Sequence, residues 1–297
     1  VILVKNIRGI FMFNKLRDIC DLIVFKHSIF ALPFIFCAML VSSKMQDQTL
    51  WFGWGLLILA LFCAISARNY AMAVNRYLDA KIDALNPRTA NRPSVDGRIG
   101  RKNLALFILA NAFVFILSSF FINWLAFWLS FLILIILGAY SYFKRFSPLA
   151  HVFLGLCLGL SPVAGAVAVL EEIPLWSLLL CCGVMLWTAG FDVLYSLQDI
   201  EFDKKFGLYS IPANYGKEAS MFIARLFHSG AVVFWLFFVG AVGLGFWAYL
   251  GVFICAIILY AEHLIVDKDA NKINKAFFTL NAWVSVLFVA FIWVDLW

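Results

Sequence analysis

Charge is what this chain has least of. Asp, Glu, Lys and Arg make up 13% of its 297 residues, about half the share usual in a soluble domain. That shortage, with a mean hydropathy of +0.95, excludes a soluble globular protein. Cysteine carries no pattern either. Cys20, Cys37, Cys63, Cys157, Cys181, Cys182 and Cys255 lie in or beside apolar segments, without the paired spacing of a metal site. They read as small apolar packing residues. A small-residue cleavage site is missing after the first apolar stretch, which runs on past residue 40, so a cleavable signal is not expected. The first residue is Val1, which implies an alternative start codon or a true start at Met12. The D-G-x-x-A-R signature of lipid-head phosphotransferases is lacking as well.

Long apolar runs fill the chain instead, and they leave room for no separate soluble domain. Nine membrane spans are expected, at about 20–43, 50–75, 103–122, 124–143, 148–170, 174–198, 217–241, 245–265 and 276–295. Pro148 and Pro174 stand where helices would begin, which suits their fixed φ. The loops Phe121–Asn123, Glu171–Ile173 and Val242–Gly245 are short enough to make neighbouring helices antiparallel. Gly155, Gly159 and Gly165 would let another backbone approach the fifth span, and Pro162 would kink it.

Lysine and arginine are almost absent from one side of this arrangement, where only Lys44 falls. The other side collects Lys5, Arg8, Lys15 and Arg17, then Arg76 to Lys102, Lys144, Arg145, Lys204, Lys205, Lys217, Lys268, Lys272 and Lys275. The asymmetry places the N-terminus in the cytoplasm and the C-terminus outside. It also accounts for the net charge of +6, so no nucleic-acid partner is implied.

The scarce acids gather on the basic side. Asn75, Asp79 and Asp83 are four apart and share a helical face at the end of the second span. Asp192, Ser196, Asp199 and Asp203 share a face at the end of the sixth, four spans later, as in a pseudo-repeat of a four-helix unit. Acids at a helix C-terminus oppose the helix dipole. Two carboxylates about 4 Å apart repel by roughly 4 kcal/mol at an effective dielectric near 20, and burial adds desolvation. Something cationic must offset this. Basic residues are at hand, but a hard divalent ion such as Mg2+, which takes oxygen ligands and shares itself with phosphates, fits better. Glu201 and Asp267 read instead as part of a solvated rim.

Three further features lie on that side. Tyr140-Ser-Tyr-Phe-Lys144-Arg145 ends the fourth span with phenols and two cations, which also suits a snorkelling pair. Arg68 lies about two turns deeper than Asn75, further than snorkelling requires. Arg88 and Arg92, in NPRTANRP, have the chemistry to clamp phosphate over the acids.

These stretches resemble the UbiA superfamily of intramembrane prenyltransferases. NRYLDAKID resembles its first aspartate-rich motif and DIEFD its second. Tyr140 to Lys144 is similar to its Y-x-x-x-K element, and RTANRP to the loop after the first motif. The likeness covers nearly the whole chain and implies one domain over 1–297: an all-α integral membrane fold of nine transmembrane helices around a central cavity. It implies two Mg2+ ions held by Asn75, Asp79, Asp83, Asp199 and Asp203, bridging to the diphosphate of a polyprenyl donor. Arg76 departs from the family's N-D opening and removes one ligand. For such a reaction Lys144, Arg145, Arg88 and Arg92 are expected to bind diphosphate, Arg68 to hold an acceptor carboxylate or a phosphate oxygen, and Tyr140, Asp192 and Tyr195 to face an aromatic acceptor, with Asp192 as a candidate base.

KHSIFALPF and GFDVLYSLQDIEFDKKFGLYSIP are most similar to bacterial quinone-pathway members labelled 4-hydroxybenzoate polyprenyltransferases, nearer those serving menaquinone synthesis through futalosine intermediates. The Asp-Lys-Pro opening of the ubiquinone enzymes is lacking. The resemblance implies a bacterial inner-membrane enzyme with its site facing the cytoplasm. A haem or lipid prenyltransferase of the same fold is the alternative. A cation-coupled transporter is the rival from another class, although its acids would lie near the bilayer midplane.

Overall fold

A computed structural model describes residues 17–23, 30–268 and 273–297, without the side chains of residues 274–276. Readings that fall on Val1, Lys5, Arg8, Met12, Lys15, the KHSI of KHSIFALPF, Lys272 and the Lys275 side chain lie outside the described residues. Every regular element among the described residues is helical. Residues 17–23 form α1, followed by α2 (Leu32–Asp47), α3 (Trp54–Asp83), α4 (Arg101–Ile122), α5 (Trp124–Phe143) and α6 (Ala150–Leu170). Then come α7 (Leu175–Ser196), a 3-10 turn (Leu197–Asp199), α8 (Ile200–Phe206), α9 (Ile211–Val242), α10 (Phe246–Lys268) and α11 (Ile273–Leu296).

Eight helical segments among the described residues are long and apolar enough to cross a membrane. They coincide with the second to ninth expected spans. The expected first span, 20–43, is described only in the pieces α1 and α2. Without water inside a bilayer every backbone group must be paired within the chain, and helices achieve this.

Lipid tails are as apolar as the core, so close packing rather than hydrophobic burial joins such helices. α6 lies against α7 with no room for a side chain at Gly155 or Gly159, where an added Cβ would strike the Met185 and Cys181 carbonyls. Pro162 lies inside α6, which stays one continuous helix. The densest part of the interior joins α2, α7, α9, α10 and α11 around Phe34, Trp187, Trp235, Phe238 and Phe288, each under 2% exposed. The Trp187 indole N–H donates to Asn281 Oδ1 at 2.7 Å, and Asn281 donates to Glu262 Oε1 at 2.8 Å. These polar atoms are thereby satisfied in the middle of an apolar region.

Three departures from the expected elements shape the polar end, where the C-termini of α3, α5 and α7 meet. α3 outruns its apolar stretch by two turns, so Asn75, Asp79 and Asp83 belong to one helix. The second acid face, by contrast, is not one helix. α7 stops at Ser196, and a 3-10 turn carries the chain to Asp199, whose φ of −105° and ψ of 6° leave the helical region. The tighter turn changes the side-chain period between Asp192 and Asp199. α9 begins six residues before the expected span and breaks at Gly216 (φ 81°, ψ 176°), a conformation open only to glycine. Its first turn is thereby aimed at the acid site.

Candidate functional site

Asp79 is 1% exposed and is the most heavily compensated acid. Its Oδ2 takes the Lys144 ammonium at 2.5 Å and the Asn75 amide at 2.8 Å. Its Oδ1 takes Arg145 Nη2 at 3.0 Å. A carboxylate buried this deeply persists only with such charge-assisted partners. They come from two helices because α3 and α5 end side by side. Arg145 also donates to Ser141 O, in the last turn of α5, at 2.9 Å and to Leu78 O, further up α3, at 3.2 Å. That placement offsets the negative end of the α5 dipole.

Asp83, one turn on, is paired with Arg92 at 2.7 Å. The loop between α3 and α4 folds back to allow this. Asn86 O accepts from the Thr89 and Ala90 amides at 2.9 Å, and Thr89 Oγ1 donates to Asp83 O at 2.8 Å. The compact turn throws Arg88 and Arg92 in different directions. Arg92 returns to the first acid motif, and Arg88 crosses to the second.

Arg88 Nε and Nη2 engage Asp199 Oδ1 and Oδ2 at 3.1 and 2.5 Å, and Nη1 donates to the Tyr195 hydroxyl at 2.9 Å. Asn86 Nδ2 adds a bond to Asp199 Oδ1 at 3.3 Å. Burial would lower the Arg88 guanidinium, but Tyr195 and Asp199 outweigh it, and its pKa lies above the ordinary arginine value. Asp203 accepts from Ser210 Oγ at 2.8 Å. Lys144, Asp199 and His151 lie within electrostatic range of it. Lys144, paired with Asp79 of the first motif, is thus also within electrostatic range of Asp203 of the second.

Not every expected residue joins this knot. Arg68 lies deeper, with Nη1 on Ile23 O at 2.9 Å. Arg76 is buried at 6% exposure and donates to Leu22 O at 3.4 Å and Asn75 Oδ1 at 3.1 Å. The two arginines therefore hold the end of α1 against α3. Tyr140 is an electrostatic neighbour of both. Asp192 faces His151, with His151 Nδ1 to Asp192 Oδ2 at 2.7 Å.

Sequence reasoning missed His151, Asn86, Ser141 and Ser210. Asn86 was legible as the first residue of NPRTANRP. The other three show nothing in sequence that sets them apart from packing or capping residues.

The profile of the UbiA prenyltransferase family matches residues 31–293. A 4-hydroxybenzoate octaprenyltransferase of Citrobacter koseri is 32% identical over 255 residues, covering 81% of this chain and 86% of that protein. The apo structure of a UbiA homolog from Aeropyrum pernix K1 superposes with a TM-score of 0.82 at 34% identity, over 91% of this chain and 98% of that one. A UbiA homolog from Archaeoglobus fulgidus bound to GPP and Mg2+ shares the fold, with a TM-score of 0.71 at 18% identity over 94% and 99% of the two chains.

Proposed function

The chain belongs to the UbiA prenyltransferase family, and from that premise we propose that it transfers a polyprenyl chain from its diphosphate to an aromatic acceptor in respiratory quinone synthesis, in a bacterial inner membrane. The acceptor is a 4-hydroxybenzoate- or futalosine-type aromatic. We assign the fold nine spans around a central cavity, with the polar end toward the cytoplasm. The lysine and arginine asymmetry supports that orientation. One observation carries the reading: Arg88 and Asn86, in the loop after the first motif, both bond Asp199 of the second, while Lys144 pairs with Asp79 of the first. Basic and acidic groups of both motifs thus face one space at a helix-end boundary.

Asn75, Asp79, Asp83, Asp199 and Asp203 offer oxygen donors, which suits a hard cation. Among the described residues no three or more Asp, Glu, His or Cys side chains come together as a ready-made metal site. Mg2+ fits such an open set, since it takes one or two carboxylates and completes its shell with phosphate and water. Bound there, Mg2+ supplies Lewis acidity toward the diphosphate oxygens.

The chain's own residues do the rest. Lys144, Arg145, Arg88 and Arg92 take up the negative charge that grows on the diphosphate as the allylic C–O bond breaks. The ring of the acceptor attacks the allylic cation, a C–C bond forms, and Asp192 removes the ring proton. Tyr195, Tyr140 and Arg68 orient the acceptor, Arg68 by pairing with its carboxylate. The apolar helices exclude water, which would otherwise trap the cation as an alcohol. The location follows from the substrates: a diphosphate belongs in water and its tail in lipid.

Purified protein is incubated with Mg2+, polyprenyl diphosphates of several lengths and an acceptor panel headed by 4-hydroxybenzoate and a futalosine-type aromatic. The expected product has the acceptor mass plus the whole polyprenyl group of the donor less one hydrogen. Uptake of a labelled solute into proteoliposomes with no prenyl product would replace this reading with transport.

A further inference from the structure

The partner of Asp192 is a residue that the motifs do not contain. His151 begins α6, is 4% exposed, and makes two hydrogen bonds with different consequences. Its Nε2 accepts the Ile211 backbone N–H at 3.3 Å. A nitrogen that accepts carries no proton, so in the neutral imidazole the proton is on Nδ1. Nδ1 therefore donates to Asp192 Oδ2 at 2.7 Å. One bond fixes the tautomer and the other fixes the carboxylate.

Asp192 is left with one committed oxygen and one open one. Among the described residues Oδ1 takes no hydrogen bond, and the side chain is 23% exposed. Asp192 precedes Tyr195 by about one turn of α7, and Arg88 joins Tyr195 to Asp199, which lies just past the end of that helix. The Ile211 amide is held in turn. Ser210, the residue before it, caps α9 by accepting from Ala213 N at 3.2 Å and donates to Asp203 at 2.8 Å. Residues 210 and 211 thus anchor Asp203 with one side chain and His151 with the next amide. Gly216 breaks α9 just beyond, which lets this first turn lie against α6 and α8.

We infer that His151 is a positioning residue for the transfer reaction: it holds Asp192 with Oδ1 toward the acceptor ring. The inference rests on the proposed prenyl transfer. In that step the C–O bond electrons leave with the diphosphate, the ring carbon bonds the prenyl carbon, and the ring proton passes to Asp192 Oδ1. An imidazole that donates to Oδ2 keeps the carboxylate from rotating away.

The test is a double-mutant cycle on the full-length protein, with acceptor and donor varied separately. His151→Leu removes both bonds. His151→Asn places an amide nitrogen near the Nδ1 position and keeps the Asp192 bond while losing the Ile211 bond. Expected for His151→Leu is a kcat loss of roughly 10- to 100-fold, the size seen when an orienting outer partner is removed, with the donor KM unchanged. His151→Asn should recover most of it. In an Asp192→Asn background His151→Leu should cost less than about twofold more, because it acts through a group already removed. Losses that multiply in the double variant, or an Asn variant no better than Leu, would overturn the inference and leave His151 a helix-packing residue. If His151→Leu does not fold, the same cycle with His151→Asn decides, since losses that multiply there point to packing. A wild-type protein that prenylates nothing in the panel removes the functional reading, and this inference with it.

Discussion

Arg88 forks both oxygens of Asp199 across 111 positions of sequence, and its third nitrogen reaches Tyr195. A planar guanidinium suits this three-way contact, and an ammonium does not. Arg88→Lys keeps the charge but loses the fork. Charge-assisted hydrogen bonds are worth about 1.5–3 kcal/mol each, so kcat/KM for the polyprenyl diphosphate should fall about 10- to 100-fold. Initial rates against donor concentration measure this. Wild-type values would reduce Arg88 to a surface counter-ion.

The acids of both motifs are expected to be indispensable to turnover. Asp79→Ala and Asp199→Ala should each lower Mg2+-dependent transfer by at least about 100-fold, the scale of losing a group that stabilises developing charge. Insertion and folding should survive, because Lys144, Arg145 and Arg88 are about a third exposed and can turn to water. Product mass from the purified variants, beside their gel-filtration profiles, reads both effects. Near-normal turnover in either would remove the metal assignment.

Chelation should separate stability from activity. Asp79, Asp83 and Asp199 each hold a basic side chain, so the folded state does not depend on an added cation to offset their repulsion. EDTA should therefore stop transfer while leaving the thermal midpoint unshifted in detergent. A large drop in the midpoint on chelation would mean that the ion is structural.

Lys144 acts on the donor side. Its ammonium lies on Asp79 with Asp203 in electrostatic range, and its carbonyl accepts the Tyr209 amide at 2.8 Å. Lys144→Ala leaves that backbone bond intact and removes only the charge. The donor KM should rise about 10-fold, with the acceptor KM little changed. Equal effects on both would end its assignment to diphosphate.

The helices were legible because length and apolar content define a span, and the acids because burying charge is costly enough to demand an explanation. The spacing of Asn75, Asp79 and Asp83 survives because α3 runs straight through them. The matching arithmetic for Asp192, Asp199 and Asp203 takes one continuous helix for granted, whereas a 3-10 turn intervenes, and nothing in LQD announces one. Arg88 and Arg92 were visible as cations near acids, but which acid each meets depends on the fold of the Asn86–Asp96 turn. His151 was invisible for a different reason: its meaning lies in Asp192 and Ile211, which come from two other helices.

The end remote from the acids provides a control. Asp295, near the close of α11, accepts the amides of Gly245, Trp247 and Ala248 at 2.5, 2.9 and 3.2 Å. These amides open α10 and have no partner within their own helix. A carboxylate there also meets the positive end of the α10 dipole. Asp295 thus does for α10 what a capping residue usually does from within its own helix, and it closes α11 onto α10. Asp295→Ala should cost about 1–2 kcal/mol, the usual loss for a removed cap, read as a lower denaturation midpoint in detergent. Asp295→Asn, which keeps an acceptor oxygen but not the charge, should recover part of it. Because α9 crosses from the acid site to this end, neither variant should change the donor or acceptor KM. A change in either would show that packing at this end is coupled to the site.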